Sequence, residues 1–581
     1  MQRIMFPGER WGIRFEVPKL QGTLLCIKSD EKPVLEIHAE DGKLTCVFTT
    51  NVQDNPIFSN KPQLNFTLEA TCKPSIISLE WHGFSTRLYC DGELVDEEWP
   101  IGVLSSGEWE IQQAGNQALE FYIPEDCMGG KETSFAGAVQ YFDCFGSNTG
   151  VGDCMPFARD GRYCLYYLFD RRAHKSKAGL GAHQWAQISS SDLKKWTMHP
   201  MAIPVTEQWE GSICTGSLIE KDGVIFAFYA VRMSDGSPAR MTWATSVDGI
   251  HFEKSRKYFA LTEPYEPVSA RDPMVFFGAD GRYHMLVTTS LPAEGRYGGC
   301  LAHLVSDDLM EWEQLPPFIV PGYGDQPECA DYFEWNGWYY LVFANIATAR
   351  YRMSREPFGP WEKPKYDVLD TVENQVAKTA AYGDRRLVTG FLARYPRSYA
   401  GNAITHELVQ RSDGTLGVCF VPEILPEFGE PLEIGDIRLV NKEGRSETEL
   451  RESICGFRLK AKLSLEGCAT IGGVTLTVGE SEHRLDFDRA NKMVSVMRPC
   501  HPDRFHMGDP RLRLMQIDMD GYVEFDMIVY EDILDIVFAD GKAMVARLND
   551  SIAEGCKVAT YVQSGALKLE NIALESMILE K

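Results

Sequence analysis

The chain has 581 residues and a formal net charge of −25, which indicates several domains and an acidic surface. Such a surface repels nucleic acid and anionic membranes, so we expect neither as a partner. The sequence contains no apolar run of about 18 residues, so no membrane span is predicted. Residues 1–10 lack the apolar core of a signal peptide. The 16 cysteines form no CxxC pair or zinc-type cluster. We therefore predict reduced thiols in a cytoplasmic protein and leave extracellular disulfides open.

The first part of the chain, residues 1–135, is predicted to be a β-sandwich. Its short apolar runs alternate with period two, as in Leu64–Ala70, and Asp91-Gly92 is typical of a hairpin turn. Long helical periodicity is missing, which favours an all-β module. Sugar binding and a purely structural role are both compatible with it. A Gly-rich passage at residues 129–134 is the predicted linker.

An internal repeat follows, from about residue 136 to about residue 425. A turn dipeptide followed by an aromatic-rich strand recurs at intervals of roughly 50 to 60 residues. The five turns are Asp160-Gly161, Asp222-Gly223, Asp280-Gly281, Asn336-Gly337 and Gly383-Asp384. One such unit cannot bury its apolar face alone, so the units are expected to close around an axis. The repeat therefore predicts a five-bladed β-propeller over residues 136–428.

The last part of the chain, residues 429–581, returns to short strand-like runs such as Tyr522–Tyr530. Gly429-Glu430-Pro431 is the predicted linker before it. We predict a second β-sandwich there, with no evident chemistry of its own. The predicted fold class is all-β: a five-bladed β-propeller flanked by N-terminal and C-terminal β-sandwich domains.

Three carboxylates occupy similar places in three of the repeat units. Asp153 lies seven residues before Asp160, whereas Asp272 and Glu328 each lie eight residues before their own turn. Thr215 stands near this place in the second unit. The first strand of a propeller blade is the innermost strand. The side chains at its start are therefore predicted to converge at one end of the central channel.

When several acids share one pocket, each negative charge raises the free energy of ionising the next acid, so their pKa values must differ. A glycosidase requires such a difference, because one carboxylate attacks the anomeric carbon while another protonates the leaving oxygen. The three carboxylates therefore favour a glycosidase. A sugar-binding propeller with a vestigial site is the non-enzymatic alternative.

The motifs of the central region resemble those of glycoside hydrolase family 32, which comprises β-fructofuranosidases, invertases, inulinases and levanases. Arg271-Asp272-Pro273 and Glu328-Cys329 match two of its short motifs, and Gly152-Asp153 opens the first blade where the family has a third. Residues 185–196 and Thr215-Gly216-Ser217 resemble two further stretches. The resemblance covers the predicted propeller and, more weakly, the C-terminal sandwich.

The resemblance implies that Asp153 is the nucleophile, Glu328 the general acid/base and Asp272 the transition-state stabiliser. It implies retention through a covalent fructosyl-enzyme, which requires the Asp153 and Glu328 carboxyls to lie about 5–5.5 Å apart. It implies no metal and no other cofactor. We expect cleavage of terminal β-fructofuranosyl linkages in sucrose-like or short fructo-oligosaccharides. A related glycosidase for another furanoside or pentoside, such as an arabinoside, and a fructosyltransferase stay open.

Four residues are predicted to bind substrate: Arg271, Trp185, Thr215 and Cys329. By the resemblance, Arg271 holds sugar hydroxyls and Cys329 modulates Glu328. Trp185 forms either the hydrophobic wall of the sugar site or part of the blade core. The basic segment at residues 170–177 is either a solvated loop or a phosphate subsite. The expected partner is a small carbohydrate, and homo-oligomerisation stays open.

Overall fold

The structure is a computed structural model that describes residues 2–17, 19–52, 55–58, 61–115, 118–125, 132–137, 139–394, 399–441, 444–467, 470–499 and 511–578. These residues lie mostly in β-strands, which confirms the predicted all-β class. The helical segments are α1 (Ser176–Gly179) and the 3₁₀ turns Pro56–Phe58, Val139–Tyr141, Pro292–Tyr297 and Pro422–Ile424. Within this described part, no helix has the length and apolar character of a membrane span. Residues 129–131 of the predicted linker lie outside the described residues.

Two antiparallel sheets form the N-terminal part of the chain. Their strands are β1 (Gln2–Met5), β2 (Trp11–Glu16), β3 (Gly22–Ser29), β4 (Lys32–Glu40), β5 (Lys43–Asn51), β6 (Gln63–Thr71), β7 (Ile76–Trp81), β8 (Thr86–Cys90), β9 (Glu93–Glu98), β10 (Glu108–Gln113) and β11 (Glu120–Tyr122). The strand orders are β1-β10-β3-β4-β5-β6 and β11-β2-β7-β8-β9. Asp91-Gly92 joins β8 to β9 as predicted, with both residues at positive φ. Buried side chains of both sheets, among them Trp11 and Phe48, share one hydrophobic cluster.

The central part of the chain consists of repeated antiparallel strands. They are β12 (Thr133–Phe135), β13 (Thr149–Arg159), β14 (Arg162–Arg171), β15 (Gln184–Ser190), β16 (Trp196–Met198), β17 (Glu210–Lys221), β18 (Val224–Met233), β19 (Arg240–Ser246), β20 (Glu253–Lys254), β21 (Arg271–Phe277), β22 (Tyr283–Ser290), β23 (Gly299–Ser306), β24 (Glu313–Ile319), β25 (Glu328–Trp335), β26 (Trp338–Asn345), β27 (Thr348–Ser354), β28 (Asn374–Tyr382), β29 (Arg385–Ala393), β30 (Gly401–Gln410) and β31 (Leu416–Cys419). We refer to β13–β16, β17–β20, β21–β24, β25–β27 and β28–β31 as units 1 to 5. Units 2 and 3 are separate four-stranded sheets, whereas strands of units 1, 4 and 5 belong to one twelve-stranded sheet.

Each of the five predicted turns joins the first and second strands of one unit. In units 1, 2 and 4 both turn residues have positive φ, for example 50° at Asp160 and 73° at Gly161. Two left-handed residues give a turn whose twist matches that of the flanking strands, and Asp, Asn and Gly tolerate this conformation best. The predicted repeat of hairpins is therefore confirmed.

The units pack through their apolar faces. Cluster members from neighbouring units lie together, as Phe228 of unit 2 does with Met285 of unit 3, and Leu286 of unit 3 with Leu341 of unit 4. The first strands also contact one another in turn: β13 with β17, β17 with β21, β21 with β25, β25 with β28, and β28 with β13. The first strands of the five units thus contact one another in a ring.

Two further antiparallel sheets form the C-terminal part. Their strands are β32 (Leu432–Ile434), β33 (Ile437–Asn441), β34 (Ser446–Ile454), β35 (Phe457–Glu466), β36 (Ile471–Val478), β37 (Ser481–Asp488), β38 (Met493–Met497), β39 (Arg511–Met515), β40 (Val523–Tyr530), β41 (Ile533–Phe538), β42 (Ala543–Arg547), β43 (Cys556–Val562) and β44 (Gly565–Ser576). The strand orders are β32-β44-β35-β40-β41-β42, with β33 paired to β44, and β34-β43-β36-β37-β38-β39. Both sheets contribute to one hydrophobic cluster.

A buried polar network joins the C-terminal sheet to unit 5. His406 Nε2 lies 3.1 Å from Asp535 Oδ1, and both side chains are almost fully buried. Gln140 Nε2 donates to Asp535 Oδ2 at 3.1 Å. Burial alone would lower the pKa of His406, but the neighbouring Asp535 carboxylate raises it above its ordinary value. The charged imidazole is therefore the form that this interface favours.

Candidate functional site

A β-bulge interrupts the first strand of every unit. The pairing with the second strand shifts between Val151 and Cys154, Ile213 and Gly216, Arg271 and Met274, Glu328 and Asp331, and Gln375 and Lys378. A bulge bends its strand and re-aims the side chains that it carries, and bulges are frequent beside active sites. The three predicted carboxylates all belong to these bulges.

The three carboxylates do not occupy equivalent positions, in contrast to the prediction. Asp153 directly precedes the residue that resumes pairing, Asp272 stands one position earlier in its bulge, and Glu328 is the paired residue that opens its bulge. Counting back from the turn misaligned the strands because the hairpin arms differ in length. The arm from Cys154 to Arg159 is longer than the arm from Met274 to Phe277.

The carboxylates nevertheless converge on one cavity. It has a volume of about 550 Å³, and Asp153, Asp272 and Glu328 line it together with Arg271 and Thr215. This volume lies within the range of about 300–1,000 Å³ that is usual for small-molecule sites. The bulges explain the convergence, since Asp272 itself adopts a left-handed conformation with φ of 56°.

Asp153 is held by three donors. Tyr399 donates its hydroxyl to Oδ1 at 2.7 Å, and Thr215 Oγ1 donates to Oδ2 at 2.5 Å. The Cys329 thiol approaches the same Oδ2 at 3.3 Å. Donors on both oxygens fix the rotation of the carboxylate, so Asp153 presents a constant face to the cavity.

Asp272 is the most deeply buried of the three acids. The backbone N–H of Cys329 donates to its Oδ2 at 3.1 Å, and Arg271 Nε lies 3.7 Å from the same oxygen. Burial raises the pKa of Asp272 above its ordinary value, and Asp153 raises it further, while Arg271 opposes both effects.

Glu328 lies at the open side of the cavity and is paired with Arg271. Arg271 Nη2 donates to Glu328 Oε1 at 2.9 Å, and its Nη1 donates to Gln326 Oε1 at 2.5 Å. Burial raises the pKa of Glu328 to about 6, because the cost of removing the carboxylate from water exceeds the stabilisation by Arg271. A carboxyl with this pKa can both give and take a proton near neutrality.

Lys378 fills the interior behind the acids. Its Nζ donates to the backbone carbonyls of Gly216 at 3.0 Å and Ala330 at 2.8 Å. The buried ammonium thereby connects the first strands of units 2 and 4, and it opposes the raised pKa of Asp272 by its charge.

The predicted substrate-binding residues fall into two groups. Arg271 and Thr215 line the cavity, and their binding of substrate stays a prediction. Trp185 does not line the cavity: its side chain is fully buried in a hydrophobic cluster, and its indole N–H donates to the Cys214 carbonyl at 2.9 Å. The structure thus places Trp185 in the core, because its strand is covered on both faces. Cys329 is buried and is not among the residues that line the cavity; its thiol lies 3.3 Å from Asp153 Oδ2 and 3.7 Å from Asp272 Oδ2.

In the basic segment after β14, Arg171 and Arg172 contact other parts of the protein, whereas Lys175 is exposed. Arg172 pairs with Asp96 and Glu98 of the N-terminal strand β9. Arg171 is buried and donates to the Ser147 carbonyl at 2.6 Å. The solvated loop was therefore wrong for Arg171 and Arg172, because the acidic strand that receives these guanidinium groups lies far away in the sequence. The phosphate subsite stays a hypothesis.

Several cavity residues have no signal in the sequence. Tyr399, His174, His183 and Arg232 all line the cavity. They come from connections and strand ends rather than from the aligned starts of the units. His174 lies 3.2 Å from His183, and burial lowers its pKa to about 4. The imidazole of His174 is therefore neutral near pH 7.

The Cys329 thiol lies between two of the acids. The ligand atoms of Asp153, Asp272 and Cys329 lie within 4.8 Å of one another. Burial raises the pKa of Cys329 well above its ordinary value, so the thiol keeps its proton when no metal ion is bound. That proton is directed at Asp153 and Asp272.

A second cavity, of about 600 Å³, lies between unit 5 and the C-terminal sheet. Two of its lysines are paired locally, Lys462 with Glu524 and Lys460 with Glu575. The three carboxylates that the sequence indicates lie in the other cavity, which is therefore the candidate site.

The protein thus consists largely of repeated β-units, and the first strands of three units place carboxylates in one cavity. The family description "Glycosyl hydrolases family 32 N-terminal domain" matches residues 155–356. This match confirms the resemblance to the family that the sequence motifs indicate.

Individual relatives share this resemblance over part of their length. The probable sucrose-6-phosphate hydrolase of Psychromonas ingrahamii is 30% identical over 191 residues, which are 31% of this chain and 33% of that protein. The sucrose-6-phosphate hydrolase of Escherichia coli is 29% identical over 193 residues, 32% of this chain and 38% of that protein. The chain thus spans less than half the length of these relatives.

The likeness in three dimensions extends further along the chain. The crystal structure of fructan 1-exohydrolase IIa from Cichorium intybus matches with a TM-score of 0.58 and 14% sequence identity. The match covers 77% of this chain and 98% of that one. At this identity the likeness concerns the fold.

Proposed function

We propose that the chain is a retaining glycoside hydrolase that cleaves terminal β-fructofuranosyl linkages in sucrose-like or short fructo-oligosaccharides. The observation that carries the proposal is the convergence of Asp153, Asp272 and Glu328 on one cavity, with the pKa of Glu328 raised to about 6. The names of the relatives, sucrose-6-phosphate hydrolase and fructan exohydrolase, support the fructosyl group as the part recognised.

In the first step, a carboxylate oxygen of Asp153 attacks the anomeric carbon of the fructosyl group. The new C–O bond forms as the glycosidic C–O bond breaks, and protonated Glu328 gives its proton to the leaving oxygen. The three donors to Asp153 keep its oxygens in position. Asp272 binds sugar hydroxyls and stabilises the positive charge that develops.

In the second step, water enters where the leaving group was. Glu328, now a carboxylate, takes a proton from the water, and the water oxygen displaces Asp153 from the anomeric carbon. The free hexose leaves with retained configuration. Arg271 keeps the pKa of Glu328 from rising further, so one residue serves both steps near neutrality.

We also propose the domain organisation that houses this chemistry. Residues 1–135 form an N-terminal β-sandwich, residues 136–428 a five-bladed propeller and residues 429–581 a C-terminal β-sandwich. The ring of contacts among β13, β17, β21, β25 and β28 supports the propeller. The paired sheets with shared cores support the sandwiches.

The test uses Asp153→Asn and Glu328→Gln in the full chain. Both variants are expected to fold normally and to lose nearly all hydrolysis of sucrose and kestose, since general acid catalysis alone contributes about 10²–10⁴-fold. Asp280→Asn is the control, because Asp280 lies in the turn of the unit that carries Asp272, outside the cavity. Full activity in either site variant would refute the assignment.

The same assay separates the alternatives. Release of nitrophenol from aryl arabinofuranosides, without action on sucrose, kestose or inulin, would favour the related furanosidase. Longer oligosaccharides that accumulate at high sucrose concentration would favour fructosyl transfer. Fructose as the main product supports the proposed hydrolase.

A phosphorylated disaccharide is a second candidate substrate. Arg232 lines the cavity and is exposed at its mouth. Among the described residues, no carboxylate forms an ion pair with its guanidinium. Arginine binds phosphate oxygens in a bidentate manner, and two relatives are named for a phosphorylated sugar.

A further inference from the structure

One wall of the cavity is built by the connection between β14 and β15. β14 ends at Arg171 and β15 begins at Gln184. From this connection, which we call the wall segment (residues 172–183), His174, Leu180 and His183 line the cavity. Its conformation therefore shapes the space in which a substrate lies.

The backbone of the wall segment is unusual. Arg172, Ala173 and His174 follow one another with φ of 66°, 52° and 67°, and Lys177 and Ala178 also have positive φ. Residues other than glycine rarely adopt this conformation, and it persists only where surrounding contacts impose it. The wall segment must therefore be held from outside.

The N-terminal strand β9 supplies the strongest of these contacts. Arg172 Nε donates to Asp96 Oδ1 at 3.1 Å, and its Nη1 donates to Glu98 Oε2 at 2.7 Å. The backbone N–H of Lys177 donates to Glu98 Oε1 at 2.6 Å. The side chains of Asp96 and Glu98 are only 3% and 5% exposed, so water does not compete for them.

Apolar contacts flank these ion pairs. Trp99, directly after β9, is buried in one cluster with Leu168 and Trp185 of unit 1. Leu180 of the wall segment is buried with Val52 and Ile101 of the N-terminal part. Polar and apolar contacts thus join the N-terminal part and the wall segment into one packed body.

A continuous path of contacts leads from the wall segment to Asp153. His174 lies 3.2 Å from His183, and the His183 ring stacks on Tyr399 with 4.9 Å between ring centroids. Tyr399 donates its hydroxyl to Asp153 Oδ1 at 2.7 Å. A shift of the wall segment would therefore reach the acid at the centre of the cavity.

We propose that the N-terminal part completes the active site: Asp96 and Glu98, through Arg172, hold the wall segment in the conformation that positions substrate and Asp153. Asp96, Glu98 and Arg172 are positioning residues that touch no reacting atom. The proposal rests on the proposed fructosidase for its kinetic readout, but the anchoring itself does not depend on the reaction.

The experiment compares Arg172→Gln with Arg172→Lys and with a control, Arg458→Gln, in the full chain. Arg458 forms a similar bidentate pair with Asp526 within the C-terminal sheet. Hydrogen–deuterium exchange of residues 172–183 measures how firmly the wall segment is held. The kcat and KM values for sucrose or kestose measure how well the site positions its substrate. Circular dichroism verifies that each variant is folded.

We expect faster exchange of the wall segment in Arg172→Gln and a fall in kcat/KM of about 10- to 100-fold, because a displacement of about 1 Å at a site can cost that much. Arg172→Lys, which keeps the charge, should recover part of the loss, and Arg458→Gln should stay within about twofold of the wild type in both readouts.

Two results would overturn the proposal. Unchanged exchange in folded Arg172→Gln would show that β9 does not hold the wall segment. Faster exchange with kcat/KM within twofold of the wild type would show that the wall segment does not position the reactants. A wild-type chain inactive on every fructoside would instead refute the proposed function, while the exchange comparison would still decide the anchoring. If Arg172→Gln does not fold, the Arg172→Lys variant decides by the same two readouts.

Discussion

Burial raises the pKa of Glu328, and Arg271 limits this rise, so both determine the pH at which Glu328 loses its proton. A general acid acts only while protonated, so activity should fall as pH rises through the Glu328 pKa of about 6. The Arg271 guanidinium, 2.9 Å from Glu328 Oε1, stabilises the carboxylate form and holds this pKa down. Arg271→Met removes that charge, so the pKa of Glu328 must rise.

The size of the shift follows from the geometry. An opposite charge within about 4–6 Å changes a carboxyl pKa by about 1–3 units. The Glu328 and Arg271 side chains are 30% and 25% exposed, so solvent screens part of the interaction. We therefore take the lower half of the range, about 1–2 units. The alkaline limb of kcat/KM should move from about pH 6 to about pH 7–8.

The assay is a pH profile of kcat/KM on sucrose for the wild type, Arg271→Met and Arg271→Lys. Arg271→Lys keeps a positive charge, so its limb should move less than that of Arg271→Met. An aryl fructoside with a good leaving group serves as an internal control, because its first step needs little protonation. The absolute rate of Arg271→Met should also fall, since the side chain lines the cavity.

The test depends on the pH of the alkaline limb of kcat/KM, and not on the absolute rate. If the limb of Arg271→Met stayed at the wild-type pH or moved to lower pH, Arg271 would not control Glu328. The assignment of Glu328 as the acid would then also lose its support.

Two further perturbations test the cavity mouth and the unit 5 interface. Arg232→Gln should lower kcat/KM for sucrose 6-phosphate relative to sucrose by about 10- to 100-fold, the value of a hydrogen bond to a charged group; an unchanged ratio would exclude a phosphate contact. His406→Ala leaves Asp535 buried without its cation and should lower the free energy of unfolding by about 3–5 kcal/mol in urea denaturation. Because the folded pKa of His406 is raised, this loss should be full below about pH 6.5 and shrink as pH rises through the folded pKa; a loss that did not depend on pH would contradict a charged His406.

The sequence was a good guide where the signal is local. Turn dipeptides and alternating strands predicted the hairpins of all five units, since left-handed turn residues are chosen for their own backbone conformation. Asp153, Asp272 and Glu328 were predicted to converge, and they line one cavity. Their roles as nucleophile, stabiliser and acid/base stay predictions.

The sequence was a poor guide where the partner is distant. Nothing near Arg172 indicates that Asp96 and Glu98 will neutralise it, because the pair forms only when the two parts of the chain pack. Tyr399 belongs to no repeated motif, yet it donates to Asp153. Trp185 was ambiguous because an aromatic residue suits a sugar site and a hydrophobic core equally well.

Because of the bulges, the positions of the three acids do not depend on the lengths of the hairpin arms and turns that follow them. Downstream of each bulge, the hairpin arm pairs only with its neighbour, so arms of unequal length coexist around one axis. A residue inserted or deleted in the arm between bulge and turn leaves the position of the acid unchanged. A residue inserted before the acid in its strand turns the acid to the opposite face of that strand. We therefore expect related chains to align at their bulges even where the lengths of their turns differ.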